Sequence, residues 1–506
     1  MNANRISSLV IVGGGTAGWI AAAAIAKSLK NQLCNITLIE SPNIGTVGVG
    51  EATIPPMVSF LQFLEVNEKE FMQETQASFK LAIKFEDWHK PGESFFHPFG
   101  SIGVNIDGNE FYPCWLKAKA NGEQAKYADF SPAAVMSAKN KFYPPHRASK
   151  DSFLAGAGYA YHFDAGLVAK FLRRYSEKLG VTRIESNVVN VNKNEQEFLQ
   201  SVELDSGQVI EGDFFIDCSG FKGLLIEEAL TTGYEDWSDL LPCNRAVAMQ
   251  TENVGEIDPY TTSTARDFGW SWKVPLQHRT GNGYVFCSEY CSDDEAVAKI
   301  HSITKGKPLT EPRVIPFVTG RRKKIWNKNC LALGLSAGFL EPLESTAIHL
   351  VTRGVRAFLD LFPDKTYNQN LENEYNRILL GEYETIKDFI VLHYCTTKRD
   401  DNPFWQRCQN IAVPESLKRK IDLFVSRGVL EYNPGDLFKP PSWFSIYEGM
   451  GVVPNNYDPF VDSVNTAQLK SVISQVKSLM LQMADSLPPH AEYLQKYCPA
   501  KGEQDS

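Results

Sequence analysis

The chain has 506 residues, of which 43% are hydrophobic and 22% are charged. These proportions are typical of globular proteins and exclude a disordered, collagen-like or coiled-coil chain, and the length predicts roughly two to four domains or lobes. The 60 acidic residues outnumber the 51 basic ones, giving a formal net charge of -9, whereas a duplex-binding protein usually has a basic excess. We therefore expect no nucleic-acid partner.

The cysteines and apolar runs indicate a reduced protein outside the membrane. The ten cysteines are scattered, and the pair Cys287 and Cys291 has no second half-site at zinc spacing, so we predict free thiols and no metal site. The longest apolar run, residues 17–26, is too short to cross a bilayer. The N-terminus leads into an apolar strand without a cleavable signal. These features predict a cytoplasmic protein with no membrane partner.

A β-α-β unit is predicted at the start of the chain. Residues 8–12 (SLVIV) form a continuous apolar run of the kind found in buried parallel strands. Residues 19–30 have the pattern of an Ala-rich helix, and residues 36–39 form a second apolar strand. A loop rich in glycine and proline follows over residues 42–56. This order of elements is typical of a nucleotide-binding fold.

The rest of the chain alternates between helical and strand-rich segments. Helices are predicted over residues 57–90, 164–179 and 345–361. Strands are predicted within residues 187–217, 244–325 and 329–338, the last of which runs into a glycine turn. Residues 91–160 are predicted to be irregular with short strands, and the C-terminal part to be mostly helical with proline-rich breaks at 439–441 and 454–459.

Three glycines follow the first strand with the spacing Gly13-x-Gly15-x-x-Gly18. In a dinucleotide-binding turn, the first glycine permits the tight turn, the second lets the backbone approach a pyrophosphate, and the third lets helix and strand pack closely. Glu40 ends the second strand, 22 residues after Gly18, where a carboxylate binds ribose hydroxyls. The alternative is a glycine turn that is needed only for packing.

Two later segments favour FAD over a pyridine nucleotide. Residues 333–338 (LGLSAG) and 214–220 (FFIDCSG) each end a strand in a turn of small residues, and in two-lobed flavoproteins such a late segment returns to the same nucleotide. No second glycine fingerprint is visible for a pyridine nucleotide. We therefore predict a tightly but non-covalently bound FAD that receives its electrons from a separate flavin reductase.

These elements predict an α/β protein with α+β elaborations. Its centre is a Rossmann-like FAD-binding box of the flavoprotein monooxygenase type, assigned to residues 1–360. Within the box, residues 1–90, 160–225 and 325–360 are assigned to the nucleotide side, and residues 91–159 and 226–324 to the sheet and substrate side. Residues 361–506 are assigned to a mostly helical substrate-binding part.

Six segments of the chain carry a resemblance to a known family. They are VIVGGGTAGW (10–19), VGVGEATIP (47–55), FKLAIKFEDW (79–88), GWSWKVPL (269–276), GFLEPLESTAIHL (338–350) and HYCTTKRDDNPFW (393–405). In these segments and in their order, the sequence resembles the flavin-dependent halogenases of the tryptophan-halogenase type. The most specific segments are the one around Lys80 and WSWKVP, which begins at Trp270.

The resemblance implies an enzyme in which reduced flavin, O2 and halide give hypohalous acid. Lys80 occupies the position of the family's active lysine, whose amine hydrogen-bonds hypohalous acid or forms a haloamine. Glu344 occupies the position of the acid near that lysine, which polarises the halogenating species or takes the ring proton. Thr346 and Ala347 occupy the halide site, where the family often has glycine at the second position. Without the resemblance, Lys80 would be interpreted as a surface helix lysine like Lys84, and Glu344 as a helix N-terminal acid.

The predicted cofactor-binding residues lie mainly in the two glycine segments, in the loop after the second strand and at the start of the late helix. They are Gly13, Gly15, Thr16, Ala17, Gly18, Glu40, Gly50, Glu51, Ala52, Val189, Gly334, Leu335 and Ile348.

The resemblance also implies an electron-rich aromatic substrate such as indole, a substituted indole or tryptophan. His97 and Phe99 resemble the H-x-F segment that stacks on an indole ring, and the alternative for them is a core aromatic cluster. Trp443, Tyr447 and Glu448 are the C-terminal candidates for substrate contacts. Their segment does not match the family's free-tryptophan clamp residue by residue, so a more open site for indole is the alternative to a tryptophan site.

Two other functions stay open at the level of the sequence. One is an FAD-dependent monooxygenase that hydroxylates an aromatic ring, against which the Lys80 segment and the pair Trp270 and Trp272 weigh. The other is a non-catalytic FAD-binding protein, which would have no need of Lys80 and Glu344.

Overall fold

The computed structural model of the protein describes residues 4–29, 34–43 and 50–501. Residue 30, at the end of the first predicted helix, and residues 47–49 of the VGVGEATIP segment lie outside the described residues. The described chain forms one mainly parallel sheet, one mainly antiparallel sheet and three small sheets, together with numerous helices. This mixture confirms the predicted α/β fold class.

The mainly parallel sheet contains the predicted β-α-β unit. In spatial order its strands are β20 (Trp326–Asn327), β21 (Cys330–Ala332), β12 (Phe214–Asp217), β1 (Ser8–Val12), β2 (Asn35–Glu40) and β8 (Thr182–Glu185), and only β20 is antiparallel to its neighbour. Helix α1 (Thr16–Leu29) connects β1 to β2. Because β2 and β12 lie on opposite sides of β1, the crevice at the carboxyl end of β1 is a topological switch point, where such sheets bind ligands.

The mainly antiparallel sheet has seven strands. In spatial order they are β18 (Arg313–Pro316), β14 (Arg245–Thr251), β17 (Thr280–Phe286), β16 (Gly269–Pro275), β15 (Tyr260–Arg266), β5 (Ala82–Glu86) and β6 (Ser94–Pro98). All neighbours are antiparallel except β15 and β5. The strand-rich segment predicted over residues 244–325 therefore pairs with an early hairpin, whose second strand carries His97.

Three further sheets have three strands each. They are β3 (Glu51–Ala52), β7 (Ala160–Phe163) and β4 (Ser78–Lys80); β9 (Val188–Lys193), β10 (Leu199–Leu204) and β11 (Val209–Glu211); and β13 (Tyr234–Asp236), β19 (Gly320–Arg322) and β22 (Gly338–Phe339). A single residue, Leu81, separates β4 from β5. The chain therefore leaves a small sheet for the seven-stranded sheet directly after Lys80.

The helix predicted over residues 57–90 is wrong in its second half. Helices α2 (Pro56–Phe63) and α3 (Glu68–Glu74) are followed by strands β4 and β5. Seven of the nine residues from 78 to 86 are buried, and a short, nearly continuous apolar run does not distinguish a buried strand from a helix by its period. Lys84 consequently lies on the strand after Lys80, and not one helical turn away.

Residues 91–160 contain two helices that the sequence did not indicate, α4 (Phe111–Ala120) and α5 (Pro132–Ala138). Most residues of both helices are buried, so neither has the alternation of polar and apolar faces that reveals a helix. The predicted helices over 164–179 and 345–361 are confirmed as α6 (Ala165–Lys178) and α8 (Ala347–Asp360), and α7 (Asp293–Ile303) lies within the strand-rich segment.

The C-terminal part is helical, as predicted. Its helices are α9 (Gln369–Cys395), α10 (Pro403–Gln409), α11 (Glu415–Arg427), α12 (Pro440–Gly449), α13 (Thr466–Asp485) and α14 (His490–Tyr497). The proline-rich break at 439–441 is the start of α12, where proline is tolerated because the first turn has no intrahelical donor to lose. Among the described residues, no helix is both long and apolar enough to cross a membrane. All ten cysteines are free.

The C-terminal helices also contact the N-terminal part of the chain. Helix α13 packs against α4 and α5. From α14, His490 Nε2 accepts a hydrogen bond of 3.3 Å from the backbone N–H of Phe79 in β4. The boundary near residue 360 stays a prediction.

Candidate active site

Lys80 is fully buried at the end of β4. Its Nζ donates hydrogen bonds to the backbone oxygen of Thr53 at 3.0 Å and to Ser345 Oγ at 2.8 Å. Burial lowers the pKa of Lys80 from 10.5 to about 7, against the opposing attraction of Glu344. Near neutral pH, both the ammonium and the amine form of this lysine are therefore populated, whereas an exposed lysine is almost entirely in the ammonium form.

Glu344 ends a short 3₁₀ turn, Pro342–Glu344, and is fully buried. His97 Nδ1 lies 2.8 Å from one carboxylate oxygen, and His393 Nε2 lies 3.0 Å from the other. Burial raises the pKa of Glu344, but the charge of His97 and the contact with His393 lower it by more, to about 2. Glu344 is therefore a carboxylate at neutral pH, and its negative charge lies close to Lys80.

A second buried acid, Glu341, lies on the same loop and was not singled out in the sequence. Its Oε2 accepts hydrogen bonds from Trp270 Nε1 at 2.8 Å and from Tyr394 OH at 2.6 Å. Burial raises the pKa of Glu341 to about 7, although these two hydrogen bonds oppose the rise. Trp270 of the WSWKVP segment therefore binds the loop that carries Glu344.

The glycine turn after β1 has the geometry that its spacing predicts. Gly13 has φ +118°, and a Cβ there would lie 2.2 Å from the backbone oxygen of Cys218. A Cβ on Gly18 would lie 1.9 Å from the oxygen of Gly13, whereas a Cβ on Gly15 would meet no described atom within 4 Å. The first and third glycines are thus required by packing, and the second faces open space next to the start of α1. Open space at the start of a helix is what a dinucleotide-binding turn requires for its pyrophosphate.

Glu40 lies at the carboxyl end of β2, beside the glycine turn. Its carboxylate accepts a hydrogen bond of 3.2 Å from Trp19 Nε1 and forms an ion pair with Arg183. A Cβ on Gly14 would lie 1.9 Å from Glu40 Oε2. The acid is therefore held in a fixed position next to the phosphate turn.

The late glycine segment lies against the first one. A Cβ on Gly334 would lie 2.8 Å from the Cβ of Ala17 in α1, and Leu335 follows in the same 3₁₀ turn. Thr16 begins α1 and donates to the backbone oxygen of Ala165 at 3.3 Å. The structure thus brings two segments together that are more than 300 residues apart in the sequence.

The other predicted cofactor residues lie in three places. Gly50 immediately precedes β3, which consists of Glu51 and Ala52 and pairs with β7. Ile348 is buried in the first turn of α8. Val189 is 61% exposed and lies on β9. Its three-stranded sheet does not include β1 or β2, which flank the glycine turn. Its role in cofactor binding therefore stays a prediction.

The predicted halide residues lie at the start of α8. Ser345 has φ +58° and turns the chain from the Glu344 loop into the helix, Thr346 is the N-cap, and Ala347 is the first helical residue. Thr346 Oγ1 is buried and has no hydrogen-bond partner within the described ranges. The unpaired N–H groups of a first helical turn favour an anion, so these residues fit a halide.

An aromatic cluster lies beside Lys80 and Glu344. The Phe99 ring centroid is 5.2 Å from Lys80 Nζ and 6.3 Å from the ring of His97. The His97 ring is 5.7 Å from that of Phe389, which has the ring of Trp443 4.9 Å away at an interplanar angle of 78°. Phe438 stacks on Phe389 at 3.8 Å. His97 thus contacts Phe99 directly, and Phe389, on which Phe438 stacks, connects His97 to Trp443. Sequence reasoning missed both phenylalanines, because nothing in their local segments distinguishes them from core residues.

Tyr447 and Glu448 have other partners. Tyr447 is fully buried and stacks on Phe424 of α11 at 3.9 Å. The Glu448 carboxylate accepts hydrogen bonds from Tyr112 OH at 2.8 Å and from Lys119 Nζ at 2.9 Å. The structure therefore connects both residues to neighbouring helices, and neither has a described contact with His97 or Phe99. Tyr447 also lies beside Trp443, with the two ring centroids 6.1 Å apart.

Comparisons with known proteins extend over almost the whole chain. The tryptophan halogenase family model matches residues 8–466. The structure of BrvH, a flavin-dependent halogenase from Brevundimonas sp. BAL3, is similar with a TM-score of 0.94 and 43% identity, covering 98% of this chain and 100% of that chain. Xcc4156, a flavin-dependent halogenase from Xanthomonas campestris, also has a TM-score of 0.94, with 41% identity and coverage of 98% and 99%. Tryptophan 6-halogenase ThaL from Streptomyces albogriseolus is 33% identical over 97% of this chain and 99% of its own length.

These similarities extend over almost the whole chain and not only over the nucleotide-binding unit that many flavoproteins share. They favour halogenation over ring hydroxylation and over cofactor binding without catalysis. The chain belongs to the tryptophan halogenase family and is a flavin-dependent halogenase that uses halide, O2 and reduced FAD supplied by a separate reductase.

Proposed function

We propose that this halogenase transfers halogen to an indole ring, with Lys80 directing the hypohalous acid and Glu344 removing the ring proton. The observation that carries the proposal is that Lys80 forms a hydrogen bond to the residue next to Glu344 in the buried interior. Lys80 Nζ donates to Ser345 Oγ at 2.8 Å, and Ser345 is the residue after Glu344. Both Lys80 and Glu344 are fully buried, so hypohalous acid at Lys80 would be separated from bulk water.

The cofactor and the halide have separate sites in this proposal. Gly13 and Gly18 would shape the turn and Gly15 would face the pyrophosphate, Glu40 would hold a ribose, and Thr346 and its neighbours at the start of α8 would hold the halide. When bound, reduced flavin supplies, with O2, the oxidising power that converts halide to hypohalous acid. The described residues then have to hold this small molecule, direct it to the ring and remove one proton.

Lys80 supplies the first of these functions. Two of its ammonium hydrogens are used by Thr53 O and Ser345 Oγ, so the third is free to bind the oxygen of hypohalous acid. The ring electrons form the carbon–halogen bond while the halogen–oxygen bond breaks, and the oxygen leaves as water with the proton of Lys80. A pKa of about 7 makes this proton easier to release than that of an ordinary lysine.

The aromatic cluster supports a flat, electron-rich substrate. The Phe99 ring lies 5.2 Å from Lys80 Nζ, and His97 and Trp443 belong to the same aromatic cluster; such rings suit an indole. The only acid among the C-terminal candidates, Glu448, is already bound by Tyr112 and Lys119. We therefore propose indole or a substituted indole, and not free tryptophan, as the substrate class.

A product analysis tests the proposal. The purified protein is incubated with FAD, a flavin reductase, NADH, bromide and either indole or tryptophan, and the products are identified by mass spectrometry. We expect bromoindole, with a higher kcat/KM for indole than for tryptophan. Hydroxylated product would contradict the reaction, and bromination of tryptophan alone would contradict the substrate class.

Lys80→Met connects the assay to the mechanism. The variant should give no brominated product while reduced flavin is still reoxidised at the normal rate, because only the group that directs hypohalous acid is lost. Lys84→Met is the matched control, since Lys84 lies on the next strand and forms an ion pair with Glu86 at 2.7 Å. A Lys80 variant that brominates indole at the normal rate and ring position would refute the proposal.

A further inference from the structure

Glu341 is a fully buried acid to which the proposed mechanism assigns no function. It is the N-cap of the 3₁₀ turn Pro342–Glu344, yet its side chain makes no capping hydrogen bond to that turn. Its Oε2 instead accepts from Trp270 Nε1 on β16 at 2.8 Å and from Tyr394 OH on α9 at 2.6 Å. A capping acid usually bonds the backbone of its own helix, so this carboxylate serves to connect the loop to two other elements of the fold.

Helix α9 contacts both acids of this loop through adjacent residues. Tyr394 donates to Glu341, and His393 Nε2 lies 3.0 Å from Glu344 Oε1. The end of the loop has a different partner, because Ser345 Oγ accepts a hydrogen bond of 2.8 Å from the active-site lysine. Glu341 therefore holds the beginning of a loop whose end carries Glu344 to the side of the halogenating group.

Trp270 gives this connection a rigid support. Its side chain is fully buried, and its ring lies 6.3 Å from that of Trp88 and 6.0 Å from that of Trp272. Its strand, β16, lies inside the seven-stranded sheet between β15 and β17. An indole has a single N–H donor, and in Trp270 this packing directs it to Glu341. The first tryptophan of the WSWKVP segment therefore holds the loop through its N–H as well as packing through its ring.

We propose that Glu341 is a positioning residue, which holds the loop so that Glu344 lies where it removes the ring proton. This role rests on the proposed function, in which Glu344 is the base. Without its two hydrogen bonds the beginning of the loop is released, whereas the helix after the loop keeps its support, because α8 packs against α1 and α2. A displacement of about 1 Å at a catalytic group can lower a rate by about 10²-fold. Glu341 therefore affects the reaction through Glu344 and not through the substrate.

Two variants of Glu341 test the role of its hydrogen bonds. Glu341→Met keeps the length of the side chain and removes both bonds. Glu341→Gln keeps them, because the amide oxygen can accept from Trp270 and Tyr394 while the NH₂ group replaces Oε1, a buried atom without a hydrogen-bond partner in the described part of the chain. We expect Glu341→Met to lower kcat for indole bromination by about ten- to hundredfold, with KM for indole, KM for bromide and FAD affinity unchanged. Glu341→Gln should restore kcat to within about threefold of wild type.

A pair of tryptophan variants separates the hydrogen bond from the packing. Trp270→Phe keeps an aromatic ring and removes the donor to Glu341. Trp405→Phe is the matched control: Trp405 is also fully buried, its ring lies 5.7 Å from that of Trp88, and its Nε1 donates over the same 2.8 Å, but to the backbone oxygen of Arg266. Both variants should lower Tm. Only Trp270→Phe should lower kcat, by about three- to tenfold, because one of the two hydrogen bonds to the acid remains.

A double variant tests whether Glu341 acts through Glu344. Glu341→Met/Glu344→Gln should brominate indole no more slowly than Glu344→Gln alone, because the position of the loop adds nothing once the base is lost. A slower double variant would overturn the inference.

The outcomes distinguish the inference from the function on which it rests. A Glu341→Met variant with a lower Tm but the kcat of wild type would show that Glu341 is only structural, and a Glu341→Gln variant as slow as Glu341→Met would show that its hydrogen bonds are not what matters. If neither variant folds, equal kcat values for Trp270→Phe and Trp405→Phe would overturn the inference. A wild-type enzyme that brominates no indole would overturn the proposed function itself.

Discussion

Replacing Lys80 with methionine should change the stability of the protein much more favourably at neutral pH than at pH 9.5, although it removes the group that directs hypohalous acid. In the folded protein burial holds the pKa of Lys80 at about 7 instead of 10.5. At about 1.4 kcal/mol per pH unit, keeping this lysine charged at pH 7 costs the folded state about 5 kcal/mol. Methionine has nearly the same length and no charge, so this cost disappears.

The lost hydrogen bonds reduce the gain. Methionine leaves Thr53 O and Ser345 Oγ without the donor that they share, at about 1–3 kcal/mol for each buried group. The net effect at pH 7 therefore lies between a destabilisation of about 1 kcal/mol and a stabilisation of about 3 kcal/mol. With an unfolding entropy of roughly 2.1 cal/mol/K per residue, this corresponds to a change in Tm of between about −1 and +3 °C for a chain of this length.

The pH dependence gives the decisive comparison. Between pH 7 and 10.5 the unfolded wild-type chain binds a proton at this lysine that the folded chain does not, so wild-type stability rises with pH in this window. At pH 9.5 the charge costs only about 1.4 kcal/mol, and Lys80→Met should be no more stable than wild type. Thermal unfolding of FAD-free protein at both pH values, with Lys84→Met as control, measures the difference. An equal change in Tm at both values would refute the claim that burial displaces the pKa of Lys80.

Four further predictions follow from the site. Halogenation should slow as pH rises through about 7, because Lys80 must be protonated to donate to hypohalous acid; a rate that increases instead would indicate the haloamine route. Gly15→Val should lose FAD affinity without a change in the Tm of FAD-free protein, since the added Cβ meets no described atom, and unchanged flavin binding would show that the phosphate turn is wrongly placed. Glu344→Gln should reduce the halogenation rate by about 10²–10⁴ while FAD stays bound, as measured by turnover and flavin absorbance. Without a reductase, FAD and NADH should give no product, and NADH oxidation by the purified protein alone would contradict this.

The nucleotide-binding unit could be predicted from sequence because each of its features is local. The apolar run of β1, the three glycines and the acid at the end of β2 all lie within residues 8–40. The close approaches that require Gly13 and Gly18 involve backbone atoms at the ends of these same elements. Strands β4 and β5 were mistaken for a helix because their burial on both faces removes the alternation that marks a strand.

The candidate site could be predicted only in part, because its geometry is not local. Lys80 and Glu344 were assigned through the resemblance, yet their proximity depends on contacts between β4, the loop before α8 and the second half of α9. His393 was visible only as a member of a matching segment, and no spacing rule connects a histidine to an acid 49 residues earlier. Phe389 and Phe438 have ordinary core-like surroundings in the sequence, and only the fold places them beside His97.

Glu341 and Glu344 show how tertiary neighbours decide what an acid can do. The two residues lie in one short loop, both are fully buried, and burial by itself raises the pKa of each. Glu341 receives hydrogen bonds only from an indole N–H and a phenol O–H, which are neutral, and its pKa stays raised at about 7. Glu344 is placed between two imidazoles, which can carry charge, and its pKa falls to about 2. At neutral pH Glu344 is fully ionised while Glu341 is only partly ionised, so most of the negative charge of the loop lies on the side of Lys80. A variant that exchanged the partners of the two acids would move the base away from the halogenating group.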